Sequence, residues 1–195
     1  MSGGRVHVDL LRHGETVGGT RFRGSLDDPL TDEGFRQMEA AVSNGGPWDA
    51  IVTSPLSRCA AFAESLALKQ GTPLETDERL REIHFGAWEG CSYAELMATA
   101  PIALTRFLAD PFRHPPPDAE PLAAFRERTL DALRNQMMPP NHGRRLLLVT
   151  HGGVIRVMLC HARGWPLARL LEIDVPHASL HGLCGSGEHC EEVRP

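Results

Sequence analysis

The chain has 195 residues, 42% of them apolar, which is typical of one domain with a substantial core. Its net charge of −5 argues against a nucleic-acid-binding surface. No apolar run approaches the ~18 residues that cross a bilayer, and the first residues lack the basic and apolar regions of a secretory signal. We therefore expect one domain over residues 1–195, located in the cytoplasm, without nucleic-acid or membrane partners.

Leucine-rich or β-branched runs alternate with segments of helical periodicity along the chain. This alternation predicts an α/β fold, a three-layer sandwich in which a mostly parallel central sheet carries helices on both faces. Strands are expected at residues 6–11, 50–53, 74–76, 146–150, 173–175 and 178–183. Helices are expected at residues 32–44, 55–70, 92–109 with an interruption at 101, 122–138 and 152–163.

Two of these helices have recognisable start signals. Thr31 is suited to be an N-cap, and the two acids after it lie in the first turn, where the helix dipole favours them. Ser54 and Pro55 pair an N-cap with proline at the first helical position. Residues 111–121 hold five prolines and are expected to form an irregular surface loop near the functional site.

Charged side chains stand where predicted strands end or helices begin: Arg12, His13, Arg58, Glu82 and His151. Any one of them alone is compatible with a loop residue bonded to backbone. Such ends, however, meet at one edge of an open α/β sheet, so together they predict a cationic pocket suited to a phosphate. A neutral histidine attacks phosphorus as a nucleophile, and fixed arginines stabilise the charge of the transferring phosphoryl group.

The same chemistry needs a carboxylic acid that protonates the leaving oxygen and then activates water. Glu82 is the candidate, and Glu89 competes for the role. Phe85 and Trp88, which lie between them, are interpreted first as packing residues and alternatively as part of the substrate-facing wall.

Four blocks in this order resemble the histidine phosphatase, or phosphoglycerate mutase-like, superfamily. They are Leu-Arg-His-Gly-Glu-Thr at 11–16, Ser-Pro-Leu-Ser-Arg at 54–58, Glu-Ile-His-Phe-Gly-Ala-Trp-Glu-Gly at 82–90 and Thr-His-Gly-Gly at 150–153. The resemblance implies the phosphoglycerate mutase-like fold, with His13 as phosphorylated nucleophile and Glu82 as proton donor. It places Arg12, Arg58 and His151 around the phosphate, and it implies neither a metal nor an organic cofactor.

Residues 21–31 are similar to the loop that covers the site in this family. The resemblance therefore implies substrate contacts from Arg23 or the backbone of Gly24, although a solvated loop arginine is an equal alternative for Arg23. Gly152, which follows His151, is included in the substrate-binding group.

The resemblance also bears on the type of reaction. Gly19 stands where mutases of this family usually carry an asparagine, and little room remains between Glu82 and Leu122 for the insertion that mutases use. Both departures favour hydrolysis. Within the superfamily, residues 23–31, 80–90 and 151–156 are most similar to the α-ribazole phosphatases of cobalamin assembly, which implies α-ribazole 5′-phosphate as substrate. A broad small-molecule phosphatase, a phosphoglycerate mutase and, in another class, a non-catalytic module that binds phosphorylated ligands are the alternatives.

Neither disulfides nor metals are expected. The five cysteines form no C-x-x-C pair and are odd in number, which favours reduced thiols. His181, Cys184, His189 and Cys190 match no standard zinc spacing, and the glycines between them indicate a turn. The expected partner is a small phosphomonoester, and the oligomeric state stays open, with a homodimer among the options.

Overall fold

A six-stranded sheet organises the computed structural model, which describes residues 4–195. The elements are β1 (Val6–Arg12), α1 (Asp32–Val42), β2 (Ala50–Thr53), α2 (Ser57–Gln70), β3 (Leu74–Thr76), α3 (Tyr93–Thr99), α4 (Pro101–Ala109), α5 (Leu122–Gln136), β4 (Arg145–Thr150), α6 (Gly152–Ala162), β5 (Leu180–Ser186) and β6 (His189–Val193). Short 3₁₀ segments cover Glu78–Leu80, Gly86–Trp88 and Leu167–Glu172.

The strand order across the sheet is β3-β2-β4-β1-β5-β6. The four strands β1 to β4 run parallel, and β5 pairs antiparallel with both β1 and β6. Arg12 at the end of β1 lies opposite Thr150 at the end of β4. The residues that follow these two strands, His13 and His151, therefore start from neighbouring positions at one edge of the sheet.

Helices cover both faces of this sheet, so the predicted three-layer α/β sandwich is confirmed. Side chains alternate between the two faces along a strand. In β4, Leu147 and Val149 pack with α1 and α2, whereas Leu146 and Leu148 pack with α5 and α6. Because this strand is buried on both faces, its sequence is a continuous apolar run without alternation.

Several local predictions are confirmed. The Thr31 hydroxyl accepts a hydrogen bond from the Gly34 amide at 2.9 Å, which caps α1. Pro101 interrupts the predicted helix 92–109, since α3 ends before Ala100 and α4 starts at the proline. Residues 111–121 are irregular, as their prolines predict.

The predicted strand at 173–175 is wrong. Ile173 and Val175 are buried like strand residues, but their carbonyl groups accept hydrogen bonds from arginine side chains instead of a neighbouring strand. Pro176 then removes a backbone donor. The last predicted strand is shifted as well, to Leu180–Ser186, and its mostly exposed partner β6 carries no apolar pattern that would have predicted it.

The predicted start of α2 is also wrong. The helix begins at Ser57 with Leu56 as N-cap, and not at Pro55 behind a Ser54 cap. The backbone amide of Ser54 continues the sheet by donating to Val149, and its hydroxyl lies 2.7 Å from His151 Nε2. Ser54 therefore serves the end of the sheet and a histidine contact, so the helix starts later.

Candidate active site

His13 lies directly after β1, held by a backbone hydrogen bond from its amide to the carbonyl of Thr150. The residue is 6% exposed, and its Nδ1 is 2.8 Å from the carbonyl oxygen of Gly14. Since a carbonyl only accepts, Nδ1 carries the proton and Nε2 the lone pair. Burial, followed by the nearby charges of Arg12 and Arg58, lowers the pKa of His13 well below its usual range. The ring is therefore neutral at pH 7, as a nucleophile requires.

Arg58 and His151 form a fully buried layer beside His13. Arg58 Nε donates to His151 Nδ1 at 3.2 Å, and its terminal nitrogens donate to the carbonyls of Gly24 and Leu26. The rings of His13 and His151 are 5.3 Å apart, centroid to centroid. Burial, and next the charge of Arg58, lowers the pKa of His151 well below its usual range. The guanidinium thus has only neutral hydrogen-bond acceptors, and its positive charge stays available to an anion.

Arg12 lies close to Gly152, the first residue of α6. Arg12 donates to the carbonyl of Val175 at 2.6 Å, while its buried Nε has no partner among residues 4–195. Burial lowers the pKa of Arg12 to about 10, so it is still charged at pH 7. A Cβ on Gly152 would lie 3.4 Å from Arg12 Nε and 3.0 Å from an Arg156 nitrogen. Glycine therefore lets two cations approach a helix N-terminus, where an anion is favoured.

Glu82 reaches the same helix N-terminus from the segment after β3. Its carboxylate oxygens accept from the amides of Gly153 at 2.9 Å and Ile83 at 3.0 Å. A Cβ on Gly153 would clash with the carboxylate, so this approach requires glycine. Glu82, Arg12, His13 and Gly152 together line a cavity of about 280 Å³, in which Glu82 is the one carboxylate among the described lining residues.

Glu89 has a different place. Its two oxygens accept from four backbone amides, those of Gly24, Ser25, Leu26 and Phe85, at 2.8 to 3.2 Å. It ties the loop after β1 to the segment after β3 and does not line the cavity. The geometry therefore favours Glu82 over Glu89 as the acid. Trp88 is buried in an aromatic cluster, while Phe85 lines the cavity wall.

The two loop residues expected to contact substrate differ from each other. Arg23 lines the cavity with its side chain 7% exposed, and its Nε is paired with Asp28 at 2.7 Å. It is therefore fixed in place and not a solvated loop arginine. Gly24 donates its amide to Glu89 and offers its carbonyl to Arg58, and it does not line the cavity. Its contacts are with site residues, not with the space a substrate would fill.

Sequence reasoning did not single out His177 and Arg156, which also belong to the cavity wall. His177 has its ring centroid 5.5 Å from that of His13, and burial lowers its pKa to about 4. It lies in the turn after the wrongly predicted strand, where Ala178 donates to the carbonyl of His13. Arg156 also lines the cavity. Its spacing of four from Gly152 places both on one face of α6 and would have identified it.

No cluster that could hold a metal ion occurs within residues 4–195. Over the same residues, no helix is long and apolar enough to cross a membrane. Arginine side chains and the N-terminus of α6 bring positive charge to the cavity.

Comparison with known proteins agrees with this geometry. The profile of the histidine phosphatase superfamily (branch 1) matches residues 8–194. A Hydrogenobacter thermophilus protein, provisionally named phosphoserine phosphatase 2, is 30% identical over 183 residues, 92% of this chain and 89% of that protein. A solved mycobacterial glucosyl-3-phosphoglycerate phosphatase superposes with a TM-score of 0.84 at 27% identity, covering 96% of this chain and 97% of its own. The α-ribazole phosphatase of Shigella flexneri (TM-score 0.82, 21% identity, 96% and 94% covered) shares the fold. This chain belongs to the histidine phosphatase superfamily, and it is a phosphatase.

Proposed function

We propose that the protein hydrolyses small phosphomonoesters through a phosphohistidine intermediate on His13. The observation that carries this proposal is the 2.8 Å contact of His13 Nδ1 with the Gly14 carbonyl, which leaves the Nε2 lone pair free on a buried ring that lines a cationic cavity. The nitrogen attacks phosphorus, the ester P–O bond breaks, and the phosphoryl group is transferred to Nε2. Arg12 and the N-terminus of α6 balance the charge on its oxygens.

In this proposal Glu82 exchanges the proton. The protonated carboxyl gives its proton to the leaving alkoxide, and the resulting carboxylate then takes a proton from water as the water attacks the phosphorus. The second step releases inorganic phosphate and restores both His13 and the protonated Glu82. Arg58 and His151, buried beside His13, act on the phosphoryl charge from that side, and Arg23 is proposed to contact the ester from the loop.

The first substrate we propose is α-ribazole 5′-phosphate, on the similarity of residues 23–31, 80–90 and 151–156 to enzymes of that class. A specific observation favours a second class of substrate, the phosphomonoesters whose alcohol part carries a carboxylate. Arg21 and Arg156 add two cations to the cavity wall beyond those around His13, and their guanidinium nitrogens donate to backbone carbonyls. They are therefore available to a second anionic group. The two relatives named for phosphoserine and glucosyl-3-phosphoglycerate belong with this alternative.

The deciding experiment measures phosphate release, in EDTA, from α-ribazole 5′-phosphate, phosphoserine, 3-phosphoglycerate, sugar phosphates and nucleotides. A kcat/KM for the ribazole ester about 100-fold above the others, or about 2.7 kcal/mol of discrimination, would establish it as the substrate. A preference for phosphoserine or 3-phosphoglycerate would favour the second class of substrate over the ribazole ester. A flat profile would leave a broad phosphatase, and release equal to that of a His13→Ala control would favour the binding module.

A further inference from the structure

A second cavity, of about 90 Å³, adjoins the catalytic one on the side of Glu82. Glu82, Phe85 and Arg156 belong to the walls of both cavities. The volume is enough for several water molecules. Most of the remaining wall is hydrocarbon, and we call this cavity the apolar chamber; its apolar side chains include Phe85, Phe107, Pro116, Ala119, Leu122 and Leu171.

Three charged residues line this wall, and two of them, Glu82 and Arg156, are shared with the catalytic cavity. Glu120 is paired with Arg128 through both oxygens, at 2.7 and 2.8 Å. Arg156 donates its Nε to the carbonyl of Ile173. The described lining residues include no hydroxyl or amide side chain. A sugar or polyol entering the chamber would thus lose hydrogen bonds to water without replacing them, which is unfavourable.

The chamber is held open by its roof, the proline-rich segment 111–121. The amide of Ala87 donates to Pro117, and the amide of Glu120 donates to His84, each at 2.9 Å. Gly86 has a φ of +56°, and a Cβ there would clash with the Pro117 carbonyl. The roof is thereby bonded to the segment that carries Glu82. Prolines restrict its backbone further, so the chamber is formed before any ligand arrives.

We propose that the apolar chamber receives an aromatic ring carried by the substrate's alcohol. This inference rests on the proposed function, because an acid that protonates the leaving oxygen must touch it. Glu82 belongs to both walls, so the carbon skeleton attached to that oxygen begins at the mouth of the chamber. The substrates are therefore phosphomonoesters of alcohols with a flat apolar group, in preference to sugar or polyol phosphates.

The test compares kcat/KM for benzyl phosphate and glycerol 1-phosphate, two esters of primary alcohols. We expect at least a tenfold preference of the wild type for the benzyl ester. Ala119→Phe fills the chamber and should lower kcat/KM for benzyl phosphate at least tenfold, with glycerol 1-phosphate changed less than twofold. Ala124→Phe, an identical change at an exposed position of α5, is the matched control.

A second variant covers the case in which Ala119→Phe does not fold. Leu171 is 37% exposed, so Leu171→Asn makes the chamber polar with little risk to the core, and Leu68→Asn, at a residue 87% exposed, is its control. Equal losses for both esters, or an unchanged ratio in folded variants, would show the chamber to be a packing void and overturn the inference.

Failure of the proposed function gives a different result, namely no turnover of either ester by the wild type. Calorimetric binding of benzylphosphonate then decides the inference alone. Binding that Ala119→Phe weakens tenfold would support a ring in the chamber, and equal binding by both proteins would refute it.

Discussion

Replacing Gly153 by alanine tests the proposed acid without touching its side chain. The added Cβ would lie well under 3.0 Å from a Glu82 oxygen, closer than real Cβ contacts come. The carboxylate must therefore move by an amount on the order of 1 Å, which is enough to reduce a rate ~100-fold in a positioned site. The helix itself should tolerate the change, because alanine is favoured over glycine within helices by about 1 kcal/mol.

The assay compares esters that differ in their need for an acid. We expect Gly153→Ala to lower kcat about 100-fold for an alkyl phosphate and less than tenfold for p-nitrophenyl phosphate, whose leaving group needs little protonation. Glu82→Gln should reproduce this selective loss. The double variant should lose little more than either single one, because both changes remove the same function. Equal losses on both esters, or additive losses in the double variant, would refute Glu82 as the acid.

Three further outcomes follow from the site. His13→Ala should abolish phosphate release while leaving the melting temperature near that of the wild type; retained activity would contradict the phosphohistidine intermediate. Glu89→Ala leaves three backbone amides of the loop after β1 and the amide of Phe85 unpaired, so it should lower the free energy of unfolding by about 1–3 kcal/mol and slow all esters equally, unlike Glu82→Gln. His13 and His151 bind protons less tightly when folded than when unfolded, since their folded pKa values lie well below the usual 6.5. Unfolding then takes up protons, so the free energy of unfolding should fall as pH drops below about 6.5, and these two histidines alone give a slope that approaches about 2.7 kcal/mol per pH unit. His177, whose pKa is also lowered, acts in the same direction. Urea unfolding at pH 7.0 and 5.5 measures this, and equal stability at both would contradict the buried neutral rings.

The sequence predicts best those features that depend on a residue's immediate neighbours. The apolar run of β4 and the Thr31 cap are local in this sense, and both are confirmed. Ile173 and Val175 show the limit, because a short apolar run is equally compatible with a strand and with a turn buried by its surroundings. Only the arginine side chains that reach their carbonyls, from distant parts of the chain, decide between the two.

The sequence predicts the part of the candidate site that follows from the order of the strands, and not the part that depends on contacts between distant segments. The ends of β1 and β4 are adjacent in register, so the convergence of His13 and His151 follows from the topology. The choice between Glu82 and Glu89 does not, because seven residues of chain carry no information about which carboxylate faces the cavity. Our preference for Glu82 rests on the structure, in which four backbone amides surround Glu89. His177 was missed because its turn is placed by a bond to the His13 carbonyl.

The hydrogen-bond partners of Arg58 explain how its positive charge can serve two roles in the proposed mechanism, attracting the phosphate and helping to keep His13 neutral. A buried guanidinium without a carboxylate partner is unfavourable for folding, yet its nearest acceptors are His151 and two carbonyls. A carboxylate in that place would neutralise the charge that the phosphate needs, and it would raise the pKa of the neighbouring histidines toward protonation. With neutral acceptors, the same cation can attract the substrate in the proposed mechanism, and it adds to burial and to Arg12 in lowering the pKa of His13. Glu82, held by the amides of Ile83 and Gly153, is the carboxyl that we propose exchanges a proton with substrate and water.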